Sequence, residues 1–100
     1  MIAQEKLTGY LLNLAHKRGG AKARLLEKFG YGADQYQQLA DDIRAQFETE
    51  VDLERATAYG VRYEIRMTLQ TPIGQTLTVR TVWQIDDGTD FPRLITLFPD

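Results

Sequence analysis

The chain has 100 residues, 43% of them apolar, with 12 Lys and Arg against 14 Asp and Glu, one histidine and no cysteine. That length supports one modest core in a single domain, and without cysteine, disulfides, thiolate nucleophiles and cysteine-ligated metals are excluded. A net charge of −2 exerts no global pull on nucleic acid, so any anion-binding function must come from local grouping of basic residues.

No apolar run approaches the length of a membrane span. The opening stretch MIAQEKLTGYLLNLAHKR has an early acidic residue and only a short apolar segment, unlike a signal peptide, so a cytoplasmic protein is expected. Within it, Glu5–Leu14 places Leu7, Tyr10, Leu11 and Leu14 at helical spacing and predicts a short amphipathic helix weakened by Gly9. The stretch Asn13–Arg24, NLAHKRGGAKAR, then holds His16, the pair Gly19 and Gly20, and the basic residues Lys22 and Arg24. Two residues without a Cβ let the backbone turn sharply or approach another group closely. A second helix begins about Ala21, with Ala23, Leu25, Leu26 and Phe29 on its period. Unpaired N–H groups, a positive dipole end and basic side chains would then gather beside a titratable imidazole, an arrangement that suits a phosphate. A plain helix–loop–helix corner has the same sequence, and both readings stand at this point.

Gly30 and Gly32 predict the end of that helix. Asp34 reads as the N-cap of a third helix running to about Phe47, with Tyr36, Leu39, Ala40, Ile43 and Phe47 on its apolar face. Residues 48–60 carry Glu48, Glu50, Asp52 and Glu54 and read as an acidic linker with at most a short strand or turn near Val51–Leu53. A solvated loop is the simple account of its charge; an acidic flap that competes with substrate phosphate is the other.

After Gly60 the period becomes two. Val61, Tyr63, Ile65, Met67 and Leu69 share one side of a strand, with Arg62, Glu64, Arg66 and Thr68 on the other. Thr71-Pro72-Ile73-Gly74 supplies a turn. A second strand, Leu77–Ile85, sets Leu77, Val79, Thr81, Trp83 and Ile85 against Thr78, Arg80, Val82 and Gln84. Asp86-Asp87-Gly88 is a turn signal, and a last strand spans Arg93–Phe98 after Pro92. The expected architecture is α+β: a helical half (1–47), the acidic linker (48–60) and a β-meander (61–98), with the N-terminal helices packed on one face of a small antiparallel sheet.

If the helices cover the apolar side, Arg62, Arg66 and Arg80 emerge together on the opposite face, where guanidinium groups suit phosphate oxygens. An ordinary solvated face with Glu64 interspersed fits the same pattern. Thr81 interrupts the apolar side, and a threonine bonded to backbone accounts for it as well as a phosphate contact does. One histidine and no carboxylate cluster give no metal site. The chemistry these residues support is metal-free RNA cleavage, in which the 2′-hydroxyl attacks phosphorus, histidine moves protons and cations hold the charged phosphorane.

The runs KLTGYLLN, HKRGGAKARLLEKFGY, YGVRYEIRMTLQTPIGQTLTVRTVWQI and DFPRLITLF together resemble a bacterial domain family of unknown function. That family occurs as standalone proteins of about this length and as C-terminal domains of larger phage-head-like and toxin-like proteins. The resemblance spans Lys6 to about Phe98. Its histidine sits in a pattern like NPEHPxGGxKA; this chain keeps His16, Gly19, Gly20 and Lys22 but has Lys17 in place of the proline, which loosens the turn without removing a charged or titratable group.

The layout of helices before a small antiparallel sheet is in turn similar to the barnase–EndoU–colicin–RelE group of metal-independent ribonuclease toxins, whose open sheet face carries the active site. By that likeness His16 is expected as acid or base, with Lys22, Arg80 and Thr81 beside it in catalysis. Arg62, Arg66, Arg93 and Thr96 are expected to bind substrate phosphates. The implied protein is a ribonuclease toxin that acts on RNA without metal or cofactor and is neutralised by a small antitoxin or immunity protein. A non-catalytic module that binds protein or RNA is the alternative, and it requires an exposed apolar patch such as Phe91, Leu97 and Phe98.

Overall fold

The computed structural model describes residues 1–47 and 51–100. Short helices precede a four-stranded antiparallel sheet of order β1-β2-β3-β4, the α+β arrangement that the change of period predicts. The strands are β1 (Leu53–Thr57), β2 (Gly60–Gln70), β3 (Thr76–Asp86) and β4 (Arg93–Pro99). Strands β2 and β3 pair without a break from Gly60 opposite Asp86 to Gln70 opposite Thr76, so their alternating residues sort cleanly onto two faces. Ile65, Met67, Leu69, Leu77, Val79, Trp83, Leu94 and Leu97 form the sheet's contribution to the core. The helices cover this side with Leu7, Leu11, Leu26, Leu39 and Ile43.

Trp83 anchors that core. Its Nε1–H donates to Thr81 Oγ1 at 2.7 Å, the Thr81 hydroxyl donates to the Ile65 carbonyl at 2.8 Å, and the Phe47 ring meets the indole edge-on at 5.0 Å. Trp83→Ala is expected to lower stability by about 3–5 kcal/mol, because a large cavity opens and the Thr81 oxygen loses a donor. The midpoint of a urea unfolding curve measures it.

The helices are shorter than their apolar spacing suggests. The first, α1 (Gln4–Lys6), runs on as a π-helical turn through Leu7–Leu11, closed by the Leu12 N–H on the Leu7 carbonyl at 2.7 Å. Asn13 then ends it: its side chain donates to the Gly9 carbonyl and accepts from the Ala15 N–H, and Leu14 is left exposed. The second, α2 (Gly20–Lys28), stops where expected, with Gly30 at φ +94° and the Tyr31 N–H on the Leu26 carbonyl. The third, α3 (Tyr36–Ala45), is not capped by Asp34. A 3₁₀ turn, Ala33–Gln35, leads into it, and the Gln35 side chain accepts the Gly32 N–H at 3.0 Å.

Two further expectations change. The middle of the supposed linker is strand β1, paired with β2 from Leu53 opposite Glu64 to Thr57 opposite Gly60; Glu48 and Glu50 lie outside the described residues. All but Thr57 of its residues are exposed, so no apolar alternation marks it, and its conformation comes from the hairpin with β2. The patch Phe91, Leu97 and Phe98 is not a continuous apolar surface, because Leu97 is buried in the core.

Candidate functional site

The turn before α2 is built on His16. The Arg18 and Gly19 N–H groups donate to His16 Nδ1 at 3.0 and 2.9 Å, and the Gly20 N–H donates to the His16 carbonyl at 2.8 Å. The imidazole therefore closes the turn that leads into α2 in the way an Asp or Asn side chain would. Two amides that might have met an anion are occupied by the ring. With Nδ1 accepting, the hydrogen of the neutral ring sits on Nε2, and the ring stands edge-on against Tyr10 at 4.9 Å. The glycine pair serves close approach: a Cβ on Gly19 would lie 2.5 Å from the Tyr10 carbonyl oxygen and 2.7 Å from its ring.

Tyr10 is the residue that this turn and the sheet share. Lys22, in the first turn of α2, donates from Nζ to the Tyr10 hydroxyl at 3.0 Å and to Thr96 Oγ1 at 2.7 Å, and the two hydroxyls are 3.1 Å apart. Thr96 is on β4, an edge strand, opposite Val82; a bulge between Leu94 and Thr96 sets it on the face away from the core. Lys6 Nζ and Lys22 Nζ each stand 5.4 Å from the Tyr10 ring centroid. Burial alone would raise the pKa of the Tyr10 hydroxyl. The hydrogen bonds of Lys22 and Thr96 and the charges of Lys22 and Lys6 outweigh it and hold the pKa below the ordinary tyrosine value.

Lys6, Tyr10, His16, Arg18, Ile95 and Thr96 line an open cleft of ≈ 400 Å³ over this cluster. Among the described residues, Lys6, Arg18 and Lys22 make no ion pair with a carboxylate.

The sheet arginines divide into two groups, and neither lines this cleft. Arg66 and Arg80 face carboxylates: Arg66 Nε is 2.8 Å from Asp100, and Arg80 is 3.2 Å from Asp100 and 3.8 Å from both Asp52 and Glu64. Three carboxylates on two guanidinium groups leave this end of the face acidic, so the expected three-arginine phosphate surface is not assembled. The Asp52 and Asp100 charges responsible come from outside the two strands whose alternation suggested it.

Arg62 and Arg93 belong to another row. Arg62 Nη2 donates to Gln84 Oε1 at 3.1 Å, Gln84 Nε2 donates to Asp86 Oδ1 at 2.6 Å, and Arg93 Nε donates to Asp86 Oδ2 at 2.6 Å. Arg93 and Gln84 hold the Asp86 carboxyl below the usual range. This row, Arg62–Gln84–Arg93, lies two residues, roughly 7 Å, along β3 from the row holding Thr96. Arg62 Nε is buried without a hydrogen-bond partner among the described residues.

Of the other residues singled out by sequence, Thr81 is fully buried with its hydroxyl held by Ile65 and Trp83, so it presents nothing to a ligand. The structure brings His16, Lys22 and Thr96 together. It adds Tyr10, Lys6 and Arg18, none of which the sequence reading selected. Among the described residues, no three His, Asp or Glu side chains are arranged to hold a metal ion, and no helix is long and apolar enough to cross a membrane.

A chain of a contact-dependent growth inhibition toxin–immunity protein complex from Klebsiella pneumoniae 342 is similar in fold, with a TM-score of 0.75 and 13% sequence identity over 99% of this chain and 98% of that one. Comparison with curated proteins gives no sequence match. Residues 1–100 match the domain of unknown function DUF6883 throughout, and the chain belongs to that family.

Proposed function

We propose that the protein is a metal-independent endoribonuclease toxin whose site is the cleft at the β4 edge, and that a partner immunity protein neutralises it. The observation that carries this reading is a cleft lined by Lys6 and Arg18 whose Tyr10 and Thr96 hydroxyls both accept from Lys22, with no carboxylate paired to these three cations among the described residues. Unpaired cations over hydroxyl groups suit a phosphodiester, whose charge grows as the phosphorane forms. The fold shared with a chain from a toxin–immunity protein complex supports a place on one side of such a pair, and with it a protein partner.

In this reading the scissile phosphate sits between Lys22, Arg18 and the His16 Nε2–H, with Thr96 and Lys6 at its margins. Arg62 and Arg93, one row away on the same face, take a flanking phosphate; Arg93 is oriented for it by Asp86. The ribose 2′-oxygen attacks phosphorus and the 5′-oxygen leaves, giving a 2′,3′-cyclic phosphate and a free 5′-hydroxyl. His16 acts as a hydrogen-bond donor to a phosphate oxygen and not as the base, because its Nδ1 is held by two amides.

That same capping of the only histidine favours a second reading, an RNA-binding module without cleavage. One experiment separates the two. Wild-type protein is induced in a bacterial host beside Lys22→Met, and total RNA is examined for fragments ending in cyclic phosphate. Growth arrest with such fragments from wild type alone is expected. Soluble wild type with intact RNA overturns the ribonuclease, and RNA recovered intact with the purified protein then establishes the binding module.

A further inference from the structure

Cleavage of this kind needs one group to accept the 2′-hydroxyl proton and another to supply a proton to the departing 5′-oxygen. The imidazole is unsuited to both. As a base, His16 would have to carry its hydrogen on Nδ1, where the Arg18 and Gly19 N–H groups already point at 3.0 and 2.9 Å. As a neutral Nε2–H donor it can hold an oxygen but cannot give its proton up without becoming an imidazolate. The base must therefore be sought among the other groups at the cleft, and the candidates are few. The ionisable groups lining it are Lys6 from α1, Tyr10 from the π-helical turn, and His16 and Arg18 from the loop; β4 contributes the neutral Thr96, and Lys22 from α2 joins them through its bonds to the Tyr10 and Thr96 hydroxyls.

We propose that Tyr10 and Lys22 are the base and acid of the reaction, working as one hydrogen-bonded pair. This inference rests on the ribonuclease reading above and names the proton-transfer groups of the same site. The reactive form is the Tyr10 phenolate beside the Lys22 ammonium. Tyr10 Oη takes the 2′-hydroxyl proton while the 2′-oxygen forms its bond to phosphorus. The bond from phosphorus to O5′ then breaks, its electron pair going to O5′, which takes a proton from Lys22 Nζ. The pair is left as a phenol and a neutral amine in contact across 3.0 Å. Transfer of one proton from Tyr10 to Lys22 along that hydrogen bond restores the starting form, and no outside acid, base or metal is consumed.

Three observations support the assignment beyond proximity. Lys22 has three N–H bonds, of which Tyr10 and Thr96 accept two, leaving one for the substrate. Thr96 fixes both partners at once, lying 2.7 Å from Lys22 Nζ and 3.1 Å from the Tyr10 oxygen. The charges of Lys6 and Lys22 around the ring favour the phenolate, consistent with the lowered pKa of Tyr10.

The test uses the full chain and a fluorescent RNA oligonucleotide under single-turnover conditions between pH 6 and 10, with the same sequence carrying a 2′-deoxy scissile nucleotide as a binding probe. Tyr10→Phe keeps the ring against Gly19 and His16 and removes only the hydroxyl. Its cleavage rate is expected to fall about 10²–10⁴-fold and to lose the rise with pH that wild type shows, while binding of the deoxy probe stays close to wild type. His16→Asn retains an acceptor for the two amides, and it is expected to lose much less rate and to keep the rise with pH. Cleavage by Tyr10→Phe within a few fold of wild type, with the same pH profile, overturns the pair and leaves the ribonuclease standing. Intact RNA with soluble wild type overturns both.

Discussion

Replacing Lys22 with methionine is expected to lower RNA cleavage by about a thousandfold or more while the protein stays folded. The size follows from two roles in one side chain. Lys22 holds charge on the phosphate and supplies the leaving-group proton, and it is also the cation that favours the Tyr10 phenolate. Methionine keeps the length of the side chain and removes every donor. Because Lys22 pairs with hydroxyls, its loss strands no buried carboxylate, so the fold bears little of the effect. The pH profile carries a further signature. With the cation gone, Tyr10 reverts toward an ordinary phenol, so whatever activity remains should reach its plateau at higher pH than wild type. Single-turnover rates across pH, beside a thermal melt by circular dichroism, measure both effects. Arg66→Ala is the useful contrast, since Arg66 faces Asp100 at the acidic end of the sheet and is expected to leave cleavage unchanged.

The contrast between Lys22 and the sheet arginines marks where the sequence was legible. Alternation along β2 and β3 places Arg62, Arg66 and Arg80 on the face away from the helices, because a period of two leaves no freedom once one face is buried. Alternation carries no information about which charges arrive from elsewhere. Asp52 and Asp100, which lie outside those strands, reach Arg66 and Arg80 and neutralise them.

Tyr10 was hidden for a different reason. Its spacing with Leu7 and Leu11 is that of an apolar helix face, and periodicity cannot distinguish a ring in the core from one whose hydroxyl reaches a partner. The one sequence signal was chemical: a tyrosine on an otherwise leucine face brings a hydroxyl that must be satisfied, and Thr96 and Lys22 are what satisfies it. The histidine and glycines were visible as a group from the start. Their mutual geometry was not, since an imidazole that accepts the amides of the turn before α2 depends on a conformation that no spacing rule specifies.

That geometry makes Gly19→Ala the most damaging single methyl group in the molecule's site. Gly19 sits at φ −94°, a conformation any residue adopts, so the backbone itself imposes no penalty on alanine. The obstacle is contact. The added Cβ would lie 2.5 Å from the Tyr10 carbonyl oxygen and 2.7 and 2.9 Å from two ring carbons, and the nearest of these is backbone and cannot swing aside. Relief requires the π-helical turn and the α2 start to separate, which pulls Tyr10 from Lys22 and the Gly19 N–H from His16. The expected result is a loss of roughly 1–3 kcal/mol in stability, together with cleavage reduced far beyond that destabilisation, because the base and acid no longer touch. Gly9→Ala tests the argument from the opposite side. It lies in the π-helical turn next to Tyr10, a Cβ there meets nothing within 4 Å, and alanine is expected to be neutral or to add about 0.5–1 kcal/mol. Urea unfolding and cleavage measured on both variants decide it: if the two variants respond alike, contact at Gly19 is not what assembles the site, and if only Gly19→Ala fails, the close approach of the HKRGG turn to Tyr10 is.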